Sequence, residues 1–203
     1  TINALKLASK HNAKFVYLST DYVFDGKKGF YKEEDRVNPL GVYAKHKLEA
    51  ENIIRKETND YLICRITNVY GDEIRGKNFI ARLSENMLKG EAMELKMPHD
   101  QYATPVNASD VARAIHKLVS NSKSGIYHLA STDYLNRVQL AERVAHYFGH
   151  EQVSIIPVST EELNQLAKRP LIGGMSAVKF NQEFPDFRWT NVDEYLTELK
   201  NKI

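Results

Sequence analysis

The chain has 203 residues, 42% of them hydrophobic, enough to bury one sizeable core, or one core and a smaller lobe, without disulfide or metal staples. Its 28 basic and 26 acidic side chains are interspersed and leave a formal charge of +2, so there is no basic stripe for phosphates and nucleic acid is not an expected partner. The single cysteine, Cys64, lies in an apolar run and is expected as a buried core thiol in a reducing compartment. No apolar stretch reaches the roughly 18 residues of a membrane span, and the N-terminus lacks a signal-peptide pattern. The expectation is no membrane partner and a cytoplasmic location.

Helical spacing of Ile2, Leu5, Leu7 and Ala8 predicts a helix over Thr1 to His11, feeding a short buried strand over Lys14 to Ser19. A polar stretch with Gly26, Gly29, Pro39 and Gly41 leads into a predicted helix from Val42 to Lys56, with Leu48, Ala50, Ile53 and Ile54 on its apolar side. Asp60 to Ile66 is the next expected strand. This alternation implies a mostly parallel sheet with crossover helices.

Farther on, helices are expected near Asn78 to Lys89, Ala108 to Val119 and Arg137 to Phe148, the last closed by Gly149. Strands are expected near Met93 to Met97 and Gly125 to Ala130. Beyond Gly149 the pattern loosens into short elements punctuated by Pro157, Pro170 and Pro185, ending in a helix from Val192 to Lys200. None of the ten glycines forms the strand, glycine-rich turn and helix by which dinucleotide folds hold a pyrophosphate.

Tyr43 and Lys47 stand at i and i+4, hence on one helix face, where an ammonium would favour the phenolate and pull the tyrosine pKa from about 10 toward working pH. With 11 tyrosines in a lysine-rich chain, about one such pair is expected by chance, so the spacing alone does not make a site. Thr20 adds weight. With Ser19 it stands at the end of the strand predicted over Lys14 to Ser19, where open α/β sheets gather their active-site groups, and a hydroxyl, a phenol and an ammonium together form a proton-transfer set for hydride chemistry.

Leu18-Ser-Thr-Asp-Tyr-Val-Phe-Asp-Gly26 followed by Asn38-Pro-Leu-Gly-Val-Tyr-Ala-Lys-His-Lys47 resembles the active-site region of dTDP-4-dehydrorhamnose reductases, in the extended short-chain dehydrogenase superfamily. Gly76-Lys-Asn-Phe-Ile80, Asp100 to Pro105, Asp110 to Ile115, Ser124 to Ala130 and Lys168-Arg-Pro170 follow in that family's order. The resemblance implies an α/β fold: a Rossmann-like, doubly wound, mostly parallel sheet whose glycine-rich N-terminal part is missing, with a small mixed α/β substrate lobe. Residues 1–70 and 103–130 would belong to the NAD(P)-binding part, and 71–102 and 131–203 to the substrate lobe. A parent protein of roughly 270 residues is expected.

By the same resemblance, Thr20, Tyr43 and Lys47 would be catalytic, and Leu18, Tyr43, Lys47 and Ile66 would meet the cofactor, NADPH or NADH. Thr20, Asp21, Val23, Phe24, Asn68, Gln101 and Arg169 would contact a nucleotide-sugar substrate, expected to be dTDP-linked, and Asp110 would cap or orient the helix that follows it. The implied activity is reduction of the C4 keto group of a nucleotide-linked 4-keto-6-deoxy sugar. The alternatives are an NDP-sugar epimerase or dehydratase, and a non-catalytic NADP-binding subunit resembling the β subunit of methionine adenosyltransferase. A homodimer is an expected assembly. The seven histidines show no metal-ligand spacing, so no catalytic metal is expected, and His46 should face away from the site.

Overall fold

The structure, a computed structural model, describes residues 1–73, 77–90, 92–149 and 153–202. Gly76 and His150 lie outside the described residues.

Helix α1 (Ile2–Lys10) leads into strand β1 (Phe15–Thr20), α2 (Val42–Glu57) crosses to β2 (Tyr61–Ile66), and α4 (Ala108–Ser120) precedes β7 (Gly125–His128). The three strands form one parallel sheet in the order β1-β2-β7, with Thr20 opposite Ile66 and Cys64 opposite Tyr127. The central strand β2 buries Leu62, Ile63 and Cys64 completely, the condition of a parallel strand covered on both faces. Burial pushes the Cys64 thiol up to about 12, as befits a core group. The fold is the α/β arrangement expected from the alternation of elements, and Rossmann-like as the family resemblance implies.

Strand β3 (Val69–Tyr70) pairs in parallel with β6 (Val106–Asn107), and β5 (Tyr102–Ala103) pairs antiparallel with β8 (Leu135–Asn136). Helix α3 (Phe79–Leu88), strand β4 (Met93–Pro98) and helix α5 (Arg137–Phe148) follow the sequence pattern. Strand β9 (Val153–Val158), parallel to β4, does not, because Pro157 looks like a breaker. A two-stranded sheet consists only of edges, where a proline's missing donor is tolerated. Helices α6 (Val178–Glu183) and α7 (Val192–Asn201) complete the chain.

Two main cores result. One joins β2, β7 and α4 with Val23, Phe24, Met175, Phe180, Phe184 and Trp189; the other joins α3, α5 and α7 through Ile80, Leu83, Ala141, Val144 and Leu196. Residues 175–189, placed with the substrate lobe by sequence, thus share a core with the parallel sheet. Asp110 does not cap α4, which Asn107 caps by accepting from the Ser109 amide at 2.8 Å. Instead it accepts from the Thr190 amide at 2.5 Å and from Arg113 at 2.5 Å, tying the C-terminal segment to the helix.

Candidate active site

The C-terminal ends of β1 and β2 open into a crevice of about 300 Å³ lined by Leu18, Thr20, Asp21, Tyr43, Lys47, Ile66 and Asn68, together with Ser19, Tyr22, Thr67 and Val69. Strand register places Thr20 beside Ile66, and the first turns of α2 carry Tyr43 and Lys47 over them. Seven residues singled out from sequence therefore meet in one place. His46 faces the opposite side of α2, beside Thr1, Ile2 and Asn3.

Directly after β1 the chain makes one 3₁₀ turn, Asp21–Val23, capped by the Thr20 hydroxyl, which accepts from Tyr22 N at 3.2 Å. Side chains in such a turn diverge by about 120°. Asp21 and Tyr22 are thereby aimed at the crevice, whereas Val23 and then Phe24 enter the larger core with almost no exposure. Val23 and Phe24, expected as substrate walls, are core residues, Phe24 stacking on Tyr31 at 4.3 Å between ring centres. Gln101 is also not at the crevice. It donates to the Thr160 hydroxyl at 2.9 Å, beside Asp100, which accepts from that same hydroxyl at 2.6 Å.

The electrostatics differ from the sequence expectation at Tyr43. Burial, Asp21 and Tyr22 hold its phenol above the ordinary tyrosine value, opposed only by the Thr20 hydroxyl. Lys47 exerts no such pull because its ammonium turns toward β1, donating to the Leu18 carbonyl at 2.7 Å and lying 4.7 Å from the Tyr17 ring centre. Desolvation lowers the Lys47 pKa in turn, and Glu51 opposes that shift. At neutral pH the site holds a protonated phenol.

Asp21 is buried, and burial raises its carboxyl to about 6, against the Thr67 and Thr20 hydroxyls and the Arg137 guanidinium. The folded chain therefore binds this proton more tightly than the unfolded chain. Stability falls as pH rises from about 4 to 6, by up to about 3 kcal/mol, and stays reduced above that window. Asp21→Asn is expected to be more stable than wild type at pH 7.5 by about 1–3 kcal/mol and to flatten this dependence. Urea midpoints at pH 4.5 and 7.5 check it; equal midpoints for the two proteins at pH 7.5 would count against the cost assigned to this carboxylate.

A second cavity of about 640 Å³ adjoins the first, sharing Tyr22 and Tyr43 and bounded by Gly41, Lys45, Lys168, Arg169 and Pro170. Arg169 belongs here, its guanidinium 5.6 Å from the Tyr22 ring centre. Gly26 makes this wall fit. At φ +68° its missing Cβ would lie 2.4 Å from Pro170 Cβ and 2.7 Å from Leu171 N. Gly26→Ala is therefore expected to lose about 1–3 kcal/mol of stability in urea unfolding. An unchanged midpoint would mean that the 170–172 segment yields freely.

Sequence reasoning missed Arg137, Thr67 and Tyr22. The first residue of α5, Arg137 donates to Asn68 Oδ1 at 2.8 Å, fixing an asparagine whose own backbone is left-handed at φ +40°. Thr67 carries a fully buried hydroxyl beside the Asp21 carboxyl, whose charged form it favours. Neither bears a spacing that marks it. Tyr22, by contrast, stood within the Leu18 to Gly26 block and borders both cavities.

Among the described residues no group of His, Cys, Asp or Glu is arranged to hold a metal ion, and no helix is long and apolar enough to cross a membrane.

The family model described as RmlD substrate binding domain matches residues 2–201. The chain is 35% identical over 172 residues to the spore coat polysaccharide biosynthesis protein SpsK of Bacillus subtilis (strain 168), covering 83% of this chain and 58% of that protein. It is 30% identical over 180 residues to a dTDP-4-dehydrorhamnose reductase of Sinorhizobium fredii, covering 83% of this chain and 60% of that one. A crystal structure of dTDP-4-dehydrorhamnose reductase from Bacillus anthracis str. Ames, in complex with NADP, superposes with a TM-score of 0.87 at 28% identity, covering 99% of this chain and 70% of that one. The chain thus spans less than two thirds of the length of these curated relatives. With the match running almost from end to end, the chain belongs to the RmlD substrate binding domain family.

Proposed function

We propose that the protein carries the proton-delivery and sugar-binding side of an NAD(P)H-dependent reductase acting on a nucleotide-linked 4-keto-6-deoxy sugar, the dTDP-4-dehydrorhamnose reductase reaction. One observation carries this reading: Thr20, Tyr43 and Lys47 converge on one crevice at the C-terminal ends of parallel strands, and the phenol there is kept protonated. A reductase needs an acid at that point, since the oxyanion left by hydride addition must take up a proton.

The residues fit the nicotinamide end of the cofactor. Leu18 and Ile66 are apolar lining beside Tyr43 and Lys47 in the same crevice. The chain has no glycine-rich turn for the pyrophosphate. Bound NAD(P)H supplies the hydride. Tyr43 gives its hydroxyl proton to the oxygen at C4, and Thr20 hydrogen-bonds that oxygen. Lys47, bonded to the Leu18 carbonyl in the same crevice, would hold the nicotinamide ribose there. Arg169, in the adjoining cavity, is placed to pair with the substrate diphosphate, and Asn68, fixed by Arg137, with the sugar.

The test is turnover by the complete protein with NADPH or NADH and dTDP-4-dehydro-6-deoxy-L-mannose, followed by mass spectrometry of the sugar. A gain of two hydrogens with matching cofactor oxidation is expected. Copurifying cofactor that is not consumed would favour an epimerase or dehydratase, and no turnover together with a stable protein partner would favour a non-catalytic subunit.

A further inference from the structure

A buried ion pair sits directly behind the proton-delivery residues, and the reaction as proposed makes no use of it. Tyr43, Lys47 and Glu51 follow at i, i+4 and i+8, one stripe of α2, and Glu51 has no exposed area. Its carboxylate takes the Arg65 guanidinium as a fork, with Nε to Oε1 at 3.0 Å and Nη2 to Oε2 at 2.7 Å. The Ser19 hydroxyl donates to Oε1 at 2.5 Å. Ser19 and Arg65 are register partners on β1 and β2, and their next residues, Thr20 and Ile66, are the site's own. Three elements that supply the crevice therefore meet at one carboxylate.

The other faces of Arg65 are also filled. Its Nη1 donates to His128 Nε2 at 3.3 Å, and the guanidinium carbon lies 5.1 Å from the Phe24 ring centre. His128, driven down to about 3 by burial and by Arg65, is neutral, and its Nδ1–H donates to the Tyr31 carbonyl at 3.0 Å. Holding a helix on a sheet does not require any of this. An apolar pair of similar volume is often as stable as a buried ion pair, or more so. What a bidentate fork adds is direction, since it fixes both the distance and the angle of the groups it joins.

We propose that Glu51 is a positioning residue: through the Arg65 fork and the Ser19 hydroxyl it sets α2 against β1 and β2 so that Tyr43 and Lys47 meet Thr20. It touches neither substrate nor cofactor. The inference rests on the reading of those three residues as the proton-delivery set. Glu51 also favours the Lys47 ammonium, which otherwise faces Tyr17 and the Leu18 carbonyl on β1.

The experiment compares Glu51→Gln in the wild-type and in a Tyr43→Phe/Lys47→Ala background, and the apolar pair Glu51→Met/Arg65→Met, in the complete protein, with kcat, KM, pH profile, NADPH affinity and thermal midpoint measured for each. Glu51→Gln is expected to lower kcat about 10- to 100-fold with the sugar KM within about threefold, and to move the alkaline limb to lower pH. Its effect should vanish in the Tyr43→Phe/Lys47→Ala background, where neither positioned group remains. The apolar pair should keep the thermal midpoint but not kcat, so that a folding failure of Glu51→Gln does not leave the matter open. Wild-type kcat in the apolar pair, or a Glu51→Gln loss that multiplies with Tyr43→Phe/Lys47→Ala, overturns the proposal and leaves the reductase reading standing. If the wild type reduces no sugar, that reading falls, and NADPH affinity decides: a Glu51→Gln loss that is absent from the Tyr43→Phe/Lys47→Ala background supports the positioning role, and any other pattern overturns it.

Discussion

Tyr43→Phe in the complete protein is expected to cut kcat about 10²- to 10⁴-fold, the range of a lost general acid, while the thermal midpoint and NADPH affinity stay close to wild type. The substitution removes one oxygen. The ring keeps its edge-on packing against Tyr22 at 6.4 Å between centres, and the residue is 56% exposed, so no core contact depends on the hydroxyl. A variant that loses its midpoint along with its activity would place Tyr43 among structural residues. Near wild-type turnover would remove it from the mechanism altogether, since no other protonated phenol is carried by α2 over the strand ends.

Arg65→Met alone is expected to cost about 3–5 kcal/mol, because it leaves the Glu51 carboxylate in the core with only the Ser19 hydroxyl. For a domain of this size that corresponds to a drop of roughly 10 °C in thermal midpoint. Adding Glu51→Met to the same protein should recover most of the loss, since the burden is the unpaired charge and not the missing volume. Calorimetry of the single and double variants checks both statements. A single variant within about 1 kcal/mol of wild type would mean that water or a rearranged partner reaches Glu51.

Helix α2 and its flanking strands were legible because their signals are local and repeat. The apolar side of residues 42–56 has the helical period, and β2 is a continuous apolar run bounded by polar residues. The three residues proposed for proton delivery were legible only jointly. Tyr43 and Lys47 have a spacing that chance supplies, and Thr20 at a strand end gave that spacing a location. Val23 and Phe24 misled for the opposite reason. They directly follow Tyr22 and lie three and four residues after Thr20, but a single tight turn sends neighbouring side chains to opposite sides, one set to the crevice and the other to the core.

What the sequence determined by itself was the order of helices and strands, the α/β class, the family, and the identity of a phenol, an ammonium and a hydroxyl bound for one crevice. All of these follow from periodicity or from residues close together in the chain. The tertiary structure decided which way Lys47 points, that burial and Asp21 keep the Tyr43 phenol protonated, and that Glu51, Arg65, Ser19 and His128 form one buried assembly. Those depend on desolvation and on pairs such as Ser19 with Glu51 or Arg65 with His128, which no local spacing encodes and which only the packing of α2 across β1, β2 and β7 brings together.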